Sequence, residues 1–136
     1  MIEHSLNIRV PYADTDPMGF VHHANYVRYF ENGRAELFRA FGLNYKDIEE
    51  SGIQMPVLSM QVKFLNPAFY DDLLTVKTFI REEPRVRVKF EYETYNQHGL
   101  LLNTAEIVLC FMKKETKKAC FPPENVRKII SELFQK

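Results

Sequence analysis

The chain has 136 residues, 46% of them hydrophobic, enough for one domain whose core needs no disulfide or metal staple. Lysine plus arginine equals aspartate plus glutamate, 18 against 18, which gives no support to nucleic acid or an anionic membrane as partner. The longest strictly apolar run is the six residues Ile107–Met112, far short of the ~20 of a membrane span, and the N-terminus lacks the basic and apolar segments of a secretory leader, so a soluble cytoplasmic protein is expected.

The first predicted element covers residues 4–13. Leu6, Ile8, Val10 and Tyr12 alternate with Ser5, Asn7, Arg9 and Pro11, the period of a half-buried strand, with Pro11 marking its end or an edge. The segment "DTDPMG" then breaks the pattern with turn chemistry. A helix is expected to start near His22–Ala24 and run to Phe41, because Tyr26, Phe30, Gly33, Leu37 and Phe41 recur at helical spacing and Gly42 supplies a stop. Gly33 falls on the apolar stripe, where it would let a sheet approach. Residues 44–51 read as a short helix or turn closed by Gly52.

Four further strands follow. "PVLSMQVKFL" sets Leu58, Met60, Val62 and Phe64 against Ser59, Gln61 and Lys63. "LLTVKTFIRE" aligns Leu74, Val76, Thr78 and Ile80, and "RVRVKFEYETYN" aligns Val86, Val88, Phe90 and Tyr92. "LLLNTAEIVLCFMKK" is apolar on both faces at its far end, as in a central or covered strand. The short connections predict an antiparallel meander of these four, with the first strand joining the same sheet. Cys110 is expected to be an inert buried thiol, and a bridge to Cys120 is suggested by parity alone. Lys113, Lys114, Lys117 and Lys118 read as a solvated hairpin end. After Pro122 and Pro123, an amphipathic helix carries Val126, Ile129, Ile130, Leu133 and Phe134.

The chemistry concentrates in "YADTDPMGFVHHANY", Tyr12–Tyr26. The first amides of a helix have no carbonyl partners and sit at the positive end of its dipole. Asp16 lies one tight turn upstream. A carboxylate beside free N–H donors is a minimal apparatus for acyl transfer: the donors polarise a carbonyl while the carboxylate attacks it or activates water. Asp14 reads as a strand-end or turn residue, His22 as a solvated or packing histidine, Asn25 as a helix cap or site-orienting residue, and Glu31 as surface. A metal reading of Asp14, Asp16, His22 and His23 is set aside, because adjacent histidines on extended or helical backbone point apart.

These residues resemble the D-x-D-x-x-G-x-V-x-x-x-N-Y signature of the 4-hydroxybenzoyl-CoA thioesterase group and its Tol–Pal-associated acyl-CoA thioesterase relatives. "MPVLSMQVKFLNPAFYDDLLTVKT" resembles the same family's second block. The resemblance spans residues 5–115. It implies an α+β hotdog fold, a five-stranded antiparallel sheet around a long helix, in one domain over 1–136. It places the catalytic carboxylate on Asp16 and the oxyanion donor on the backbone N–H of His23, with a side-chain role for His23 also open. It assigns Gly19, Asn25 and Tyr26 to substrate binding. Arg85 in "EEPRVRV" is the one match to a basic cluster that grips CoA phosphates in aromatic-CoA members. It further implies an acyl-CoA or acyl-carrier-protein substrate, no cofactor or metal, and a homodimer or homotetramer. The alternatives are an acyl-carrier-protein thioesterase and a hotdog that binds acyl thioesters without hydrolysis. The histidine motif of the fold's dehydratases is absent.

Overall fold

The computed structural model of the chain describes residues 1–135. Its elements are β1 (Ile2–Arg9), a 3₁₀ turn (Tyr12–Asp14), α1 (Asn25–Ala40), α2 (Tyr45–Glu50), β2 (Ile53–Gln54), β3 (Val57–Phe64), β4 (Leu73–Ile80), β5 (Arg87–Tyr95), β6 (Leu101–Cys110), β7 (Met112–Lys113) and α3 (Glu124–Phe134). Five strands form one antiparallel sheet in the order β1-β4-β5-β6-β3. The alternation of β4 and β5 sends Leu74, Val76, Thr78, Val88, Phe90 and Tyr92 into the core. α1 lies on that inner face, with Phe30 4.6 Å from Tyr92 and Phe38 5.8 Å from Phe90 between ring centroids.

Gly33 is a point of close approach between α1 and β4. A Cβ there would lie 2.6 Å from Thr78 Oγ1 and 3.4 Å from Val76 Cγ1. Both hang from β4, so the missing side chain sets how deeply α1 seats on the sheet.

Three expectations need correction. The first strand stops at Arg9: the chain leaves the sheet at Val10 and Pro11 and coils into the 3₁₀ turn, which leaves Tyr12 76% exposed instead of on the buried face. The four later strands are not a simple meander. β4, β5 and β6 are sequential neighbours, but β3 pairs with β6 at the far edge. The Asn66–Asp72 connection reads as a hairpin from its length, yet extended chain of that length spans ~23 Å and the three strand spacings it crosses amount to only ~14 Å. It runs across the end of the sheet: Leu65 and Asn66 both donate N–H to Leu102 O, and Val10 N donates to Asp72 O at 2.9 Å. Third, the two-stranded pair of β2 and β7 was missed; both are two residues long, too short to show a period. Cys110 is buried and both cysteines are free thiols.

Candidate active site

The site is assembled by the chain between β1 and α1. Pro11 starts the 3₁₀ turn, closed by Asp14 N to Pro11 O at 3.0 Å and Thr15 N to Tyr12 O at 3.1 Å. A second turn follows at once. Gly19 N donates to Asp16 O at 2.9 Å, Pro17 takes the position whose fixed φ suits it, and Gly19 closes the turn at φ +85°, where a side chain would be strained. Asp16 Oδ1 accepts from Met18 N at 3.0 Å and Phe20 N at 3.1 Å. The turn's own amides thus hold one carboxylate oxygen, and among the described residues the other makes no hydrogen bond. Val21 N to Ala68 O, 2.8 Å, docks this loop onto the chain crossing the end of the sheet.

The entry into α1 decides which amides stay free. Asn25 N donates to His22 O at 2.9 Å, Tyr26 N to His23 O at 3.3 Å, and Ala24 N to the His22 ring at Nδ1, 3.2 Å. Among the described residues the His23 N–H has no acceptor. His22, read from sequence as a solvated or packing histidine, therefore occupies the neighbouring donor, and the His23 amide stays open at the positive end of the helix.

Asp16, His23 and Tyr26 line one cleft of about 310 Å³ together with Phe20, Phe64 and Asn66. Phe64 and Asn66 were not anticipated. Their signal was the apolar end of β3 running into Asn-Pro, which looked like an ordinary hairpin. Tyr26 is buried, and burial pushes its phenol up to about 12, so it stays protonated at neutral pH.

Other expected site residues fall differently. Asn25 is not the cap: Ala24 holds that position, with no side-chain cap bond, and the Asn25 amide group reaches back to Asp14 O at 2.8 Å. Gly19 shapes the turn and does not line the cleft. Arg85 sits in the β4–β5 turn, at the opposite end of the sheet from Asp16. The His22 and His23 rings do not point apart. They stack at 4.3 Å, because the backbone there is a turn and neither extended nor helical. Among the described residues no group of three His, Cys, Asp or Glu side chains is arranged to hold a metal.

Asp14 is more than a turn residue. It is 5% exposed, and its carboxylate accepts from Tyr29 Oη at 2.6 Å and from Arg28 Nη2. Burial pushes its pKa up, but the hydrogen bonds from Arg28 and Tyr29 and the charge of Arg28 outweigh it and hold the carboxyl below the ordinary aspartate value of 3.8. A depressed folded-state value stabilises the fold above the unfolded value and loses that contribution as pH falls through the folded one. Urea unfolding from pH 5 downward should therefore show the wild type losing stability below about pH 4 more steeply than Asp14→Asn. Parallel curves would contradict this.

A model of the thioesterase-like superfamily matches residues 10–130 of the chain. The acyl-CoA thioester hydrolase YbgC of Escherichia coli is 31% identical over 129 residues, 94% of this chain and 93% of that protein. The chain belongs to the thioesterase-like superfamily. The acyl-CoA thioesterase YbgC of Haemophilus influenzae is 32% identical over 122 residues, 88% of this chain and 89% of its own length. In three dimensions, the DHNA-CoA thioesterase of Staphylococcus aureus superposes with a TM-score of 0.93 at 30% identity, covering 99% of this chain and 93% of that one. The fold is that of the hotdog thioesterases, and the family match takes in the whole Asp16 loop, the start of α1 and the Leu65–Asp72 crossing.

Proposed function

We propose that this protein hydrolyses acyl-CoA thioesters to the free acid and CoA at the Asp16 cleft. The observation that carries this reading is that Asp16, with one carboxylate oxygen free, and His23, whose N–H has no acceptor among the described residues, line a single cleft. The amide donates to the thioester carbonyl oxygen and stabilises the negative charge that develops there. Either the Asp16 carboxylate takes a proton from the attacking water and passes it to the sulfur as the C–S bond breaks, or it attacks the carbonyl carbon itself, CoA leaves as the thiolate, and water then cleaves the acyl–Asp16 anhydride to the free acid, restoring the carboxylate and supplying the proton for the thiol. The relatives named acyl-CoA thioesterases support CoA as the carrier. A panel of acyl-CoAs assayed by free-thiol release, with acyl-carrier-protein thioesters alongside, is the direct test. No release from any of them overturns the proposal.

The oxyanion donor is a backbone group, so the His23 side chain is dispensable in this reading. His23→Ala should keep most of the wild-type kcat. A loss as large as that from removing the carboxylate would assign the chemistry to the imidazole instead.

The active unit is at least a homodimer in this reading. β3 is an edge strand with its ladder open on one side, and its apolar residues Val57, Leu58, Met60 and Phe64 are all exposed in the single chain. An open apolar edge invites pairing with a second copy. Antiparallel pairing of two β3 edges would bring the Val57 end of one copy beside the Phe64 end of the other, at the Asp16 cleft. Light scattering at micromolar concentration should give a mass of at least twice 16.1 kDa. A single 16.1 kDa species would exclude the dimer.

A further inference from the structure

Asp14 stands outside the proposed chemistry, yet it is a buried carboxylate with four bonds to the elements that carry the site. Its carboxylate takes Tyr29 Oη at 2.6 Å and the Arg28 guanidinium, both from the first turns of α1. Its carbonyl takes His22 N at 2.9 Å and Asn25 Nδ2 at 2.8 Å. His22 and Asn25 bracket His23. Asp14 is also two residues from Asp16, at the near end of the loop that Thr15 and Val21 close by a bridge. Both reacting groups are therefore tied to this one residue. The carboxylate hangs from the loop that Asp14 starts, and the amide belongs to the segment that Asp14 O grips on both sides.

We infer that Asp14 is a positioning residue for the reaction: it sets the separation and orientation of the Asp16 carboxylate relative to the His23 N–H. This rests on the reading of those two groups given above. The physical reason for a charged residue is the pair of donors it must hold. A buried carboxylate without partners would be costly, and Arg28 and Tyr29 are two strong donors that reward its burial only in one geometry. Arg28 is half-exposed, with 53% of its side chain accessible, so solvent screens its ion pair and much of that pair's value lies in orientation. Its guanidinium also lies 5.5 Å from the Tyr29 ring centroid, which fixes the two donors relative to each other.

Positioning errors appear in turnover and not in ground-state binding. An ångström of misplacement costs up to ~10²-fold, and loosening one of several anchors should cost ~10-fold. Asp14→Asn, which keeps the shape but loses the charge, should lower kcat by ~10-fold with KM nearly unchanged. Tyr29→Phe and Arg28→Gln each remove one anchor and should each lower kcat by a few-fold, again at constant KM. The independent readout is the His23 amide, followed by ¹⁵N-edited NMR, whose shift and hydrogen-exchange rate should change in all three variants. A folded Asp14→Asn protein with wild-type kcat, or one whose KM rises at constant kcat, overturns the inference. If Asp14→Asn does not fold, the other two decide: wild-type kcat with an unmoved His23 amide in both overturns it. Should the wild type hydrolyse no acyl-CoA, the proposed function fails by itself, while the amide readout still supports or overturns the positioning role.

Discussion

Asp16→Asn should lower kcat by ~10²-fold or more, the lower scale expected for a positioned acid–base group, with the fold intact. The substitution separates charge from structure. The loop needs an acceptor at Oδ1 for the amides of Met18 and Phe20, and asparagine supplies one of the same shape in the same place. The second oxygen becomes an amide nitrogen, which can neither attack a thioester carbon nor take a proton from water. Whether Asp16 acts as nucleophile or as general base, the loss is the same. KM should change little, because the cleft walls Phe20, Tyr26 and Phe64 are untouched. Free-thiol release on the best acyl-CoA, with circular dichroism to confirm the fold, measures it. A folded Asp16→Asn protein with near wild-type kcat would end the mechanism. The expected ranking, Asp16→Asn well below Asp14→Asn and both below His23→Ala, also separates the reacting carboxylate from the one that positions it.

Gly33→Ala should destabilise the protein by ~1–2 kcal/mol, against the usual direction for an alanine in a helix. Alanine favours a helix interior over glycine by ~1 kcal/mol. Here the added Cβ would meet Thr78 Oγ1 at 2.6 Å, well inside contact distance. Thr78 is fully buried and β-branched, so turning the hydroxyl aside only swings its methyl into the same crowded space. α1 must therefore lift from β4, and overpacking of this kind costs ~1–3 kcal/mol. The Thr78 hydroxyl has no hydrogen-bond partner among the described residues, so removing it leaves no donor or acceptor stranded. Gly33→Ala combined with Thr78→Ala should then recover much of the loss, a coupling of ~1 kcal/mol or more, as residues in contact show. Urea unfolding of the two single variants and the double variant checks this. A Gly33→Ala protein as stable as the wild type would show that the sheet gives way to the methyl group.

What was legible in the chain alone was local. The helical spacing of Tyr26, Phe30, Gly33 and Leu37 and the alternation in β4 and β5 each reflect one element meeting one apolar surface, and such periods survive without knowledge of the neighbour. The turn chemistry of Asp16-Pro17-Met18-Gly19 is equally local, since it depends on proline's fixed φ and on a residue tolerant of positive φ. The candidate carboxylate and the helix entry followed from Tyr12–Tyr26, and the family resemblance from that segment together with Met55–Thr78.

Contacts between residues far apart in the chain were decided by tertiary structure. The place of β3 could not be read from loop length, because the same residues can turn back as a hairpin or cross the end of a sheet, and only the partners of Leu65, Asn66 and Asp72 distinguish the two. The crossing also puts Phe64 and Asn66 on the cleft. The full roles of Asp14 and Asn25 are hidden from the sequence for a related reason. Each has an ordinary local use, a turn residue and a helix cap, and each instead bonds across the loop: Asn25 to Asp14 O, and Asp14 to Arg28 and Tyr29. A hydrogen bond depends on distance and angle in space, to which separation along the chain is no guide. Local chemistry along the chain thus singled out residues suited to acyl transfer, and the packing of loop, helix and crossing chain brought some of them onto one cleft.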